Sequence, residues 1–130
     1  MPPHRETATA LDAPAAIGPY THAVKSNGLL FCSGQIPLDP ATGELVGETP
    51  AEQARQCLEN LTAVVHAAGA QLSDAVQVTV YLTDMAAFAE VNEVYASFFD
   101  ADPPARVAIA VAALPKGAEV EIAAVVALAG

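Results

Sequence analysis

From Thr49 to Gly69 the apolar residues recur every three to four positions, and seven residues later the repeat shortens to two. Ala54, Cys57, Leu58, Leu61, Val65 and Ala68 make one stripe, while Glu52, Arg55, Gln56 and Glu59 occupy other faces. That spacing is an amphipathic helix that must pack on something flat. Thr49-Pro50-Ala51-Glu52 opens it as a capping box with proline at the first helical position, and Gly69 suits its C-terminal end. Then Val76, Val78, Val80 and Leu82 alternate with Gln77, Thr79 and Tyr81, the two-residue period of a strand with one face on the core. The other face is mixed in character, as an interface would be. A helix next to such a strand constrains the chain to a layered fold of helix on sheet.

The flanking segments extend this pattern. Tyr20–Lys25 and Leu29–Ser33 read as strands around Ser26-Asn27-Gly28, where Asn-Gly supplies the positive φ angles of a tight hairpin. Pro37 to Gly43 is turn chemistry throughout. Asp84 can cap a second helix in which Phe88, Val91, Tyr95 and Phe98 recur at helical spacing, and Pro103-Pro104 bars its continuation, so it ends near Phe99. Arg106–Val111 and Val120–Leu128 are the last strands, joined by the turn Leu114-Pro115-Lys116-Gly117-Ala118. Residues 1–13 read as a loosely ordered arm with the option of pairing late as an edge strand. The order is ββ-α-β-α-ββ: one domain over residues 1–130, an α+β two-layer sandwich whose single sheet carries both helices on one face. The other sheet face needs a cover, and a second subunit is the economical one.

Composition narrows the function. Fifteen acidic residues against five basic give a formal charge of −10, which disfavours nucleic acid as a partner. With 53% apolar and only 15% charged residues, a domain this small is expected to hide part of its surface in an oligomer. No apolar run approaches the roughly 18 residues of a membrane helix, and no secretory pattern opens the chain, so no membrane contact and a cytoplasmic address are expected. Gly28, Gly34, Gly43 and Gly47 form no phosphate-binding loop, and His4, His22 and His66 have no ligand spacing, so neither nucleotide nor metal is expected. Cys32 and Cys57 read as buried free thiols.

Arg106 opens an apolar strand in a chain with few cations. Its fork suits bidentate capture of a carboxylate, from a substrate or from a structural partner such as Glu119 or Glu121. Glu121 shares a face with Ala123 and Val125 and must be paired, functional or at a solvated strand end. Tyr20 and Ser33-Gly34 stand at strand termini, where sites often form. Phe88 and Tyr95 read as helix core, and Asn92 either as a polar contact at a helix–helix seam or, the commoner case, as an exposed side chain.

Ala13-Pro14-Ala15-Ala16-Ile17-Gly18-Pro19-Tyr20, Ser33-Gly34-Gln35-Ile36-Pro37-Leu38-Asp39-Pro40, Val91-Asn92-Glu93-Val94-Tyr95, Pro104-Ala105-Arg106 and Leu114-Pro115-Lys116-Gly117 together resemble the RidA (YjgF) family of reactive imine deaminases, from about Ala13 to Val126. The resemblance implies a chorismate-mutase-like fold assembled as a homotrimer, sheets inward, with clefts between subunits. It implies hydrolysis of 2-iminobutanoate and 2-iminopropanoate to 2-keto acids and ammonia, without cofactor or metal. Carried onto this chain, Arg106 grips the substrate carboxylate and Glu121 positions the attacking water. Tyr20, Ser33 and Gly34 line the cleft, with Phe88 and Asn92 nearby. Ala108 stands where the family often has cysteine, which leaves backbone groups but no thiol chemistry there. The alternative is a regulatory trimer that binds keto or imino acids without turnover.

Overall fold

A computed structural model describes residues 3–99 and 101–129. One six-stranded sheet is built from β1 (Glu6–Ala8), β2 (Ala23–Ser26), β3 (Leu29–Gln35), β4 (Ala75–Leu82), β5 (Ala105–Ala110) and β6 (Val120–Ala127). Its order is β1-β2-β3-β6-β4-β5, antiparallel except for the parallel β4–β5 pair. Two helices, α1 (Pro50–Ala67) and α2 (Phe88–Phe98), cover one face, and α2 supplies the crossover that a parallel pair needs.

Local chemistry sets these boundaries. Asn27 and Gly28 both take positive φ, 52° and 77°, and close the β2–β3 hairpin. Thr49 Oγ1 accepts from the Glu52 amide at 3.1 Å, while Glu52 Oε2 reaches back to the Glu48 amide at 2.9 Å. The box is thus displaced by one residue, since its reciprocal arm serves the residue before the cap. Asp84 does not cap α2 directly: its carboxylate accepts from the Ala86 amide and holds a 3-10 turn, Met85–Ala87, that feeds the helix.

Two expectations need correction. Val76 leaves the core face, because a register shift between Ala75 and Gln77 in the β4–β6 ladder turns it out to 45% exposure. A bulge reverses the side-chain alternation locally, which a strict two-residue count cannot show. β2 begins at Ala23 rather than Tyr20, since Thr21 Oγ1 bonds the Ala23 carbonyl and amide and so competes with the ladder. The arm takes the edge-strand option open to it, pairing β1 on β2, and it buries Ala10 and Ala13.

The core lies between the helices and the sheet: Leu58, Leu61, Val64 and Val65 of α1 meet Leu30, Val80, Ile122 and Val126. Along β6, Val120, Ile122, Ala124 and Val126 are buried while Glu121, Ala123, Val125 and Ala127 face the other side. That second face is uncovered and apolar, with Phe31, Val107 and Ile109 between 40% and 46% exposed.

Candidate active site

Glu121 sits where β3 and β6 fall out of step. Cys32 pairs with Ala124 and Gln35 with Ile122, so Ser33 and Gly34 together oppose Ala123. This bulge removes two residues from the ladder and turns them toward the neighbouring carboxylate. The Glu121 side chain lies directly over Gly34: a Cβ added there would come within 2.9 Å of its Cδ and 3.2 Å of its Cγ. Glycine is what lets the carboxylate lie down on the strand. Ser33 is held by the segment leading into β2, its hydroxyl donating to the Thr21 carbonyl at 2.6 Å and its amide to the His22 carbonyl at 2.9 Å.

These residues floor a cavity of about 450 Å³. The segment between the arm and β2 supplies the wall of Pro14, Ile17 and Tyr20, and the turn before β6 supplies Pro115 and Lys116. The arm is pinned by His22, 3% exposed, whose Nδ1 accepts from the Ala10 amide at 3.0 Å and whose Nε2 meets the Pro14 carbonyl at 2.8 Å. A carbonyl requires the donor to be Nε2–H, so both bonds are satisfied by the neutral ring. Lys116 stands in left-handed backbone, φ 58°, and its Nζ donates to the Gly43 carbonyl at 3.3 Å, linking two loops at the cavity mouth. Burial raises the Glu121 carboxyl above its usual 4.5, because desolvation disfavours the charged form.

Arg106 is elsewhere. It pairs with Val78, which pairs with Ala124, a row on the helix-covered face, whereas Glu121 pairs with Tyr81, whose other partner is Ile109 on the open face. Two strand spacings and three residues separate the rows, roughly 14 Å in the sheet plane. Among the described residues neither Glu119 nor Glu121 pairs with the guanidinium; Glu119 stands just before β6, its backbone amide donating to Gln53 Oε1 at 2.8 Å. Instead Arg106 Nη1 donates to Asn92 Oδ1 at 2.6 Å, and its guanidinium carbon lies 5.2 Å from the centre of the Phe88 ring and 4.9 Å from that of Tyr95. Ala108 follows on the same face, paired with Val80.

The expected site residues therefore form two groups. Tyr20, Ser33, Gly34 and Glu121 meet in the cavity, while Phe88, Asn92, Ala108 and Arg106 stand at the β5 edge on the opposite face. A single chain does not unite them. The residue-by-residue reading also missed His22, Lys116 and the part played by Tyr95. For Tyr95 a signal existed, because Phe88, Asn92 and Tyr95 at intervals of four and three share one helical stripe. For His22 there was none.

The family model described as Endoribonuclease L-PSP matches residues 10–128, and the chain belongs to that family, which includes RidA, YjgF and RutC proteins. A RutC family protein of Sinorhizobium fredii is 56% identical over 117 residues, covering 90% of this chain and 93% of its own. The mouse protein named 2-iminobutanoate/2-iminopropanoate deaminase is 46% identical over 121 residues, with 93% and 90% covered. Among solved structures, RidA from the Antarctic bacterium Psychrobacter sp. PAMC 21119 superposes with a TM-score of 0.91 at 44% identity, covering 95% of this chain and 99% of that one. Among the described residues, no helix is long and apolar enough to cross a membrane.

Proposed function

We propose that this protein hydrolyses 2-imino acids, 2-iminobutanoate and 2-iminopropanoate foremost, to the 2-keto acid and ammonia. The observation that carries the reading is an arginine whose partners among the described residues, Asn92 and the rings of Phe88 and Tyr95, are all neutral, so that they leave its positive charge for an incoming carboxylate. The second group the reaction needs, a carboxylate with a raised pKa, lies in a cavity of suitable size. The name and 46% identity of the mouse deaminase point the same way.

The two groups come together when a second copy of the chain covers the open sheet face and brings its β5 edge to the first copy's cavity. Closing that face also buries Phe31, Val107 and Ile109, worth roughly 1 kcal/mol each at half exposure. A closed homotrimer with three such clefts satisfies both demands. In each cleft Arg106 takes the substrate carboxylate and sets the iminium carbon over Glu121. The Glu121 carboxylate accepts a proton from water as the oxygen bonds to that carbon, then returns it to the nitrogen. Ammonia leaves, the C=O bond forms, and the remaining hydroxyl proton is lost to solvent. An iminium is already electrophilic, so orientation and a held water supply what is needed, without a cofactor. Tyr20 and Ser33 shape the cleft, and Gly34 leaves room for the carboxylate. Cleavage of RNA is disfavoured by five basic residues against fifteen acidic.

The test generates 2-iminobutanoate in situ with a threonine dehydratase and traps it with semicarbazide. Wild type should suppress trapping, and Arg106→Ala and Glu121→Gln should not. Unchanged trapping with wild type that still binds 2-ketobutyrate would replace the enzyme reading with that of a regulatory binder.

A further inference from the structure

Tyr95 lies on α2, outside the lining of the Glu121 cavity, and was expected as helix core. It is 5% exposed and packs against Phe99 with ring centres 4.7 Å apart. Its hydroxyl finds no hydrogen-bond partner among the described residues. What the ring does meet is the Arg106 guanidinium, at 4.9 Å, closer than Phe88 at 5.2 Å. Both distances lie within the roughly 6 Å at which an aromatic face attracts a cation. Phe88, Asn92 and Tyr95 rise along one stripe of α2, so a ring, an amide oxygen and a second ring hold one guanidinium from a single rigid helix.

We infer that Tyr95 is a positioning residue for carboxylate recognition: its ring face, together with Asn92, holds the Arg106 guanidinium in the orientation that receives the substrate. The inference rests on the role proposed above for Arg106. A side chain with Arg's rotamer freedom at an exposed edge would otherwise lose that freedom each time it bound. The ring face restrains it without neutralising it, as a structural carboxylate would. Nη1 is taken by Asn92, and the remaining N–H groups are available for a bidentate contact.

Binding of two ligands of the same shape tests this: 2-ketobutyrate, which carries the carboxylate, and its neutral amide, 2-oxobutanamide, titrated by calorimetry into wild type, Tyr95→Leu, Tyr95→Phe and Arg106→Ala. Tyr95→Leu should weaken 2-ketobutyrate about five- to tenfold and the amide less than twofold. Tyr95→Phe keeps the ring and should bind both ligands as wild type does, with no lower melting temperature. Equal weakening of both ligands by Tyr95→Leu, or no weakening, would overturn the inference, and so would a Tyr95→Phe loss as large as that of Tyr95→Leu. If Tyr95→Leu does not fold, Phe88→Leu takes its place, with the same selective loss in smaller measure. An Arg106→Ala variant that binds 2-ketobutyrate normally would instead defeat the proposed role of Arg106, a failure separate from that of Tyr95.

Discussion

The two halves of the candidate site use opposite physics. Glu121 is half-buried over a glycine in a cavity, and desolvation raises its carboxyl. Arg106 stands exposed on an edge strand, its charge left intact by neutral neighbours. Desolvation makes a carboxylate a stronger general base, because it moves the pKa toward the working pH. A carboxylate receptor has to stay charged and reachable. On the proposed reading, one sheet meets both demands by placing the two groups on opposite faces, and a second copy of the chain is needed to complete a cleft.

The largest effects should come from removing either half. Arg106→Ala and Glu121→Gln are each expected to lower kcat/KM for the 2-imino acid by at least about 100-fold. Co-expressing the two variants sharpens the comparison: mixed assemblies should regain part of the activity, since some clefts combine an intact Arg106 with an intact Glu121. Mixtures as inactive as the parents would place both halves within one chain.

The next effect opposes activity to stability. The folded state holds the Glu121 proton more tightly than the unfolded state, so its stability is greatest below the usual 4.5 and declines as pH rises through the elevated folded value. Glu121→Gln should therefore melt higher than wild type at pH 7, by a margin that shrinks toward pH 4. A lower melting temperature at pH 7 would mean that the carboxylate is stabilised by a partner after all.

Gly34→Ala tests the floor of the cavity. Its methyl must displace the Glu121 carboxylate, which is flexible enough to move, so kcat should drop on the order of tenfold with the fold retained. His22→Leu removes two buried bonds from the arm and should cost about 1–3 kcal/mol in chemical denaturation, with fast exchange of the Ala10 amide. The smallest effects are expected away from both halves. Arg55→Gln removes the other guanidinium over an α2 ring, 5.8 Å from Phe98, and should leave 2-ketobutyrate binding unchanged. Cys32, with its thiol pushed up to about 12 by burial, and Cys57, raised well above the usual range, should resist thiol reagents until the protein unfolds.

Much of the architecture was legible because its signals are local. The Thr49 cap, the α1 stripe, the Asn27-Gly28 turn and the alternation along β6 each lie within a few residues of one another. The failures were non-local or competitive: Thr21 preferred its own backbone to the ladder, and Val76 was turned out by a bulge that needs β6 to exist. The site followed the same division. Its residue types stand in order along the chain, but the row on which each falls depends on strand order, and strand order is not periodic.

The sequence by itself determined the elements, the amphipathic faces and the scarcity of positive charge, because these follow from spacing and composition. Only the tertiary structure decided that Arg106 and Glu121 stand on opposite faces. It likewise decided that Gly34 makes room for a carboxylate 87 residues away (121 − 34), that a buried histidine pins the arm, and that a core tyrosine faces a guanidinium. Each of these is a contact between distant segments, set by packing and register rather than by any local preference of the chain.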